Sequence, residues 1–101
     1  MQTSAKNMQA NVARASSLLK AMSNKVRLMI VCQLAEQEMS VGELLEIIPL
    51  SQSAMSQHLA LLRREKIVKT RREAQSIFYS LSSTEAKVIV EKVHELFCED
   101  N

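Results

Sequence analysis

Six polar side chains, Ser51, Gln52, Ser53, Ser56, Gln57 and His58, precede a run of cations that includes Arg63, Arg64, Lys69, Arg71 and Arg72. Glutamine can hold adenine through two hydrogen bonds in a major groove, serine tolerates several base edges, and Arg and Lys neutralise phosphate. His58 fits a phosphate contact or a packing position. A polar reading head followed by cations is the order that a helix lying in a major groove requires. The other reactive side chains are Cys32 and Cys98, 66 residues apart. In a cytoplasmic chain two such thiols point to redox sensing or metal binding rather than to a structural disulfide. Cys98 stands beside Glu99 and Asp100, where a helix C-terminus and two acids disfavour a thiolate.

These residues need elements to position them. Leu59 and Leu62 return at helical spacing within 51–65, so the reading head opens an amphipathic helix capped by Ser51. Before it, SVGE (Ser40 to Glu43) is a capping box, and its helix carries Leu44, Leu45, Ile47 and Ile48 up to Pro49. Two short helices joined by a tight turn over 40–65 form a helix-turn-helix. Residues 67–73 and 76–81 are rich in β-branched and aromatic types and read as two strands, a wing over 67–81. The turn at Glu73, Ala74 and Gln75 has no Gly, Asn or Asp, so a loop longer than two residues is expected there.

Two further helices precede the reader and one follows it. Met8, Val12, Ala15, Leu19 and Met22 repeat at coiled-coil-like steps, a seam on a helix over 8–22. Ser23 or Asn24 caps a helix over 25–36 that is apolar on several sides and should be the buried centre. Ser82, Ser83 or Thr84 caps a last helix reaching Cys98, with a stripe of Ala86, Ile89, Val90, Val93, Leu96 and Phe97. With one Gly and one Pro, the chain should be mainly α with a small β-hairpin, in the order α-α-α-α-β-β-α.

The 101 residues leave room for one domain, 1–101, and for a modest core, which favours a homodimer. Residues 51–80 hold six basic residues and two acids, a local charge of +4; the remainder holds seven and nine, a local −2. The positive field is confined to the reader and the wing, as binding to double-stranded DNA requires. No apolar run reaches membrane-spanning length and the N-terminus has no signal-peptide stretch, so a cytoplasmic protein without a membrane partner is expected. No nucleophile–base–acid set or glycine-rich phosphate loop is present, which argues against an enzyme and gives no cofactor.

The segments LLKAMSNKVRLMIVCQL, SVGELLEI and LSQSAMSQHLALLRREKIV, in this order of elements, resemble the ArsR/SmtB family of bacterial winged-helix regulators over about residues 15–98. The resemblance implies a winged helix-turn-helix, a homodimer built from the helices at 8–22 and 83–98, and an imperfect inverted-repeat operator. It also implies that the fourth helix reads bases while the hairpin serves as the wing. Metal sites known in the family are missing. The third helix, VGELLEI, has no cysteine, and the positions aligned with last-helix ligands around His94 hold Leu81, Ser83 and Phe97. The settings LMIVCQL and ELFCED instead look like the BigR/HlyU-like dithiol subgroup. That likeness implies a repressor whose Cys32 and Cys98 are bridged by reactive sulfur species, weakening its hold on DNA. Two alternatives stay open: a non-sensing architectural or antirepressor protein, and a metal-responsive repressor using Cys32, His94 and Cys98.

Overall fold

The computed structural model describes residues 4–97. Local capping chemistry sets most boundaries. Ser4 opens α1 (Ala5–Met22) by accepting from the Asn7 backbone N–H. Asn24, not Ser23, opens α2 (Lys25–Leu34), accepting from Val26 N at 2.9 Å and Arg27 N at 3.0 Å. Ser40 and Glu43 form the reciprocal capping box of α3 (Val41–Ile47). Ser51 caps α4 (Gln52–Arg64) through the Ala54 N–H, and Ser83 caps α5 (Thr84–Phe97) through the Ala86 N–H.

A three-stranded antiparallel sheet completes the described residues, in the order β1 (Met39–Ser40), β3 (Ser76–Leu81), β2 (Val68–Glu73). The strand β1 adds an element to the expected order. It pairs Met39 with Tyr79 and Ser40 with Phe78, tying the start of α3 to the hairpin. Strand β2 pairs with β3 from Val68↔Leu81 to Glu73↔Ser76. The expected long loop is therefore corrected: only Ala74 and Gln75 separate the strands. Ala74 takes φ 57°, the backbone region that glycine prefers, because the continuous ladder dictates the turn.

The end of α4 has the same conformational demand. Lys66 sits at φ 62°, its N–H donates to Arg63 O, and the Ile67 N–H donates back to Leu62 O. This is a Schellman motif, sealed by buried Leu62 and Ile67. It turns the chain directly from α4 toward β2. Glycine at either left-handed position should relieve strain. Lys66→Gly and Ala74→Gly are each expected to raise stability by about 0.5–1 kcal/mol. Calorimetry at equal chain concentration should show Tm higher by about 2–8 °C.

The core joins the central helix to the helix-turn-helix: Ile30, Val31, Leu44, Ile48, Met55, Leu59, Leu62 and Ile67 are fully buried. Each such side chain contributes about 1.5–3 kcal/mol of burial. From the sheet, Met39 and Val68 close this core, and from α5 Ala86 and Val90 do so. Helix α1 reaches it through its last turns, with Ala21 and Met22 buried and Leu18 packed against them half-buried. Its seam is otherwise uncovered, with Met8 54%, Val12 58% and Leu19 52% exposed. The radius of gyration, 15.0 Å, exceeds the roughly 13 Å of a compact domain of this length, as a projecting α1 requires. No helix among the described residues is long and apolar enough to cross a membrane.

Candidate nucleic-acid interface

Helix α4 buries Met55, Leu59 and Leu62 on one side. The 3.6-residue period then turns Ser53, Ser56, Gln57, Ala60 and Arg64 to the opposite side, and all five are exposed. Ser51 and Gln52 are exposed at the N-terminus of the helix, where Ser51 Oγ lies 3.3 Å from Ser53 Oγ. Gln52, Ser56 and Gln57 make no side-chain hydrogen bond to another described residue, so their polar groups face solvent. Arg63 and Arg64 close the last turn, where cations favour the helix dipole. Arg64 stays 70% exposed despite a loose 3.9 Å approach to Glu65.

His58 behaves differently from its neighbours. It is half-buried, and its Nδ1 lies 3.5 Å from Arg27 Nη1. Arg27 Nε donates to the Ala21 carbonyl at 2.6 Å, so this arginine links the end of α1 to the flank of α4. Arg27 was not among the sequence candidates. Its signal was the spacing of AMS and RL in LLKAMSNKVRLMIVCQL, which places a cation beside the unsatisfied carbonyls ending α1.

The wing divides its cations by strand alternation. Lys69, Arg71 and Glu73 share one face with Phe78, whereas Val68, Thr70 and Arg72 share the other with Ile77, Tyr79 and Leu81. Tyr79 and the α4 residues Ser56, Ala60, Arg63 and Arg64 line one cleft of about 430 Å³. The Arg72 face is thus the one continuous with the outward side of α4. Arg71 points to the other side and is engaged there. Its Nε donates to both Glu38 carboxylate oxygens at 2.9 and 3.0 Å, and its Nη2 lies 2.8 Å from Oε1. Glu73 stands 3.5 Å away, and the guanidinium lies 4.8 Å above the Phe78 ring. The hydrogen bond to Glu38 holds the Arg71 pKa above its ordinary value. Ala60, Tyr79 and Glu38 also went unread in the sequence. Sheet pairing brings Tyr79 to the α4 side of the wing and Glu38 to the Arg71 side.

Cys32 is half-buried on α2. With Ala35 and Glu36 it faces Val90, Glu91, His94 and Glu95 of α5 across a cleft of about 650 Å³. The expected second thiol, Cys98, lies outside the described residues. The proposed set Cys32, His94 and Cys98 shares that boundary. Among the described residues no group of three or more His, Cys, Asp or Glu side chains is arranged to hold a metal ion.

Comparison with known proteins agrees with this geometry. The model of the bacterial regulatory protein, arsR family, matches residues 24–70, from the Asn24 cap into the wing. The transcriptional activator HlyU of Vibrio cholerae serotype O1 is 56% identical over 94 residues, covering 93% of this chain and 87% of that one. The biofilm growth-associated repressor of Xylella fastidiosa is 42% identical over 92 residues, covering 91% and 81%. Reduced HlyU from Vibrio cholerae N16961 superposes with a TM-score of 0.90 at 55% identity, covering 93% of this chain and 99% of that one. A helix-turn-helix joined to a two-stranded wing, at such identity over nearly the whole chain, makes this protein a winged-helix transcriptional regulator of the arsR family.

Proposed function

We propose that the chain is a cytoplasmic, homodimeric, sequence-specific repressor without enzymatic activity, with one α4 helix entering each half of an imperfect inverted repeat. The observation that carries this reading is the exposed row Ser53, Ser56, Gln57 and Arg64, flanked by Gln52 and Arg63 on a helix anchored by buried leucines. Homodimerisation is supported by the uncovered Met8, Val12 and Leu19 on α1 and by Leu96 and Phe97 on α5, 65% and 80% exposed. A single domain over 1–101 would then use 8–22 and 83–98 for pairing, 40–65 for reading and 67–81 as the wing. Repression is favoured by the repressor name of one relative, although HlyU carries the name of an activator.

The same reading makes Cys32 and Cys98 the switch. Cys32 faces the C-terminal half of α5, and Cys98 follows that helix directly in the sequence. A low-molecular-weight persulfide would take two electrons and two protons from the two thiols, leaving as a thiol and hydrogen sulfide as the protein disulfide forms. A bridge from α2 to α5 links the core beneath the reader to the dimerisation helices, and so biases half-site spacing. One solved relative is HlyU in its reduced form, which supports a redox-dependent state for this chain. A metal-responsive repressor is the second reading, favoured by Cys32 and His94 lining one cleft. Metal that changed operator affinity while persulfide did not would select it.

Selection from a random duplex library, followed by footprinting, tests the DNA-reading claim. Reduced protein should enrich an inverted repeat with half-sites about 34–36 Å apart and protect two major grooves. Recovery of sequences with no shared motif would reject specific reading and favour an architectural protein.

A further inference from the structure

The two neighbouring wing arginines have different surroundings, and the difference assigns them different work. Arg71 reaches from β2 across Phe78 of β3 to Glu38, the residue before β1, so one side chain spans the whole sheet. Its fork is already filled by a carboxylate in two-point geometry, the arrangement that gives exposed ion pairs their best chance of persisting. With Glu38 and Glu73 both at hand, this corner carries no positive excess. Moving Arg71 to a phosphate would leave Glu38 to be neutralised by a cation from solution, so the exchange would release no net counterion.

Arg72 has no ion pair among the described residues and stands opposite Ile77, itself 39% exposed. Their face continues outward from Tyr79, which borders the cleft beside Ser56, Ala60, Arg63 and Arg64. A cation with an apolar neighbour at a hairpin tip suits the backbone and sugars of a minor groove.

Building on the DNA-binding reading above, we infer that Glu38 and Arg71 form a clamp that fixes the wing, and that Arg72 beside Ile77 is the wing arginine that meets DNA. Arg71 is then a positioning residue, and Glu38 a guard that keeps its charge from adding unspecific grip. The clamp crosses all three strands and makes β1, a two-residue strand, the point that sets wing direction.

The salt dependence of binding by the full-length reduced chain separates the two roles, measured on the selected operator and on a scrambled duplex. Arg72→Gln should lower the log–log slope by about 0.9 for each phosphate that a protomer no longer neutralises. Glu38→Gln should raise the slope by a similar step and tighten binding to the scrambled duplex severalfold, because Arg71 is released. Adding Arg71→Gln to Glu38→Gln should return the slope to the wild-type value. A double variant with a slope below wild type, in which Arg72→Gln still lowers the slope by its full step, would show that Arg71 meets phosphate and would overturn the assignment. An unchanged slope in Glu38→Gln, or in Arg72→Gln, would overturn it too. Wild-type protein lacking salt-dependent binding to either duplex would instead remove the DNA-binding reading, and the clamp assignment with it.

Discussion

Gln57→Ala is expected to remove most of the discrimination at one base pair of each half-site while leaving the fold intact. Gln57 is exposed at the centre of the outward row, between Ser53 and Ala60, and no described side chain accepts or donates a hydrogen bond to it. Its removal therefore leaves no buried group unsatisfied. The loss falls on the complex, where an amide that pairs both donor and acceptor with adenine is worth about 1–3 kcal/mol. In a two-fold complex the penalty is taken twice, so operator affinity should fall by roughly 30-fold or more. Binding to scrambled DNA, which rests on phosphate neutralisation, should change little. Titrations of both duplexes check this. Equal losses on the two would show that Gln57 is not a base reader.

His58 differs from Gln57 in its surroundings. One residue further along the helix, the imidazole is half-buried against Arg27, whose guanidinium also donates to the Ala21 carbonyl of α1. A change at His58 would disturb the joint between α1, α2 and α4 as well as any phosphate contact. Gln57 carries no such double duty.

The helix-turn-helix was legible in the sequence because its signals are local. Caps at Ser40 and Ser51 act within three residues, and the period of Met55, Leu59 and Leu62 fixes which side faces out. The wing was legible as two cation-bearing strands, but not in which face each cation takes. Ala74 holds a positive φ without a turn residue's help because the ladder on both sides demands a two-residue turn. Strand β1 is too short for any period, and it exists only through its pairing with β3. Glu38 and Arg71 are 33 residues apart, so no spacing rule brings them together. The cationic run thus read as one patch, whereas strand alternation splits it between two faces.

Oxidation of Cys32 and Cys98 is expected to have the other large effect. Couplings between a sensing site and a binding site typically amount to about 1–3 kcal/mol, roughly 5–150-fold in affinity. The proposed coupling has a structural route. Cys32 lies in the same helix as buried Ile30 and Val31, which pack with Met55 and Leu59 beneath the reader in one core. Across the cleft, Val90 anchors α5 to that core while Leu96 and Phe97 extend beyond it. Drawing the end of α5 toward α2 would therefore shift the exposed apolar residues proposed to hold the second protomer. Cys32→Ser should bind the operator as the reduced protein does and ignore persulfide.

Anaerobic titration of the selected operator and its scrambled control, with reduced chain before and after persulfide treatment, tests the whole account in one measurement. Tight, operator-selective binding by the reduced chain is expected, with a roughly 5–150-fold loss on treatment and recovery with a thiol reductant. Equal affinity for operator and control would contradict the reading helix. Selective binding indifferent to persulfide would contradict the dithiol switch.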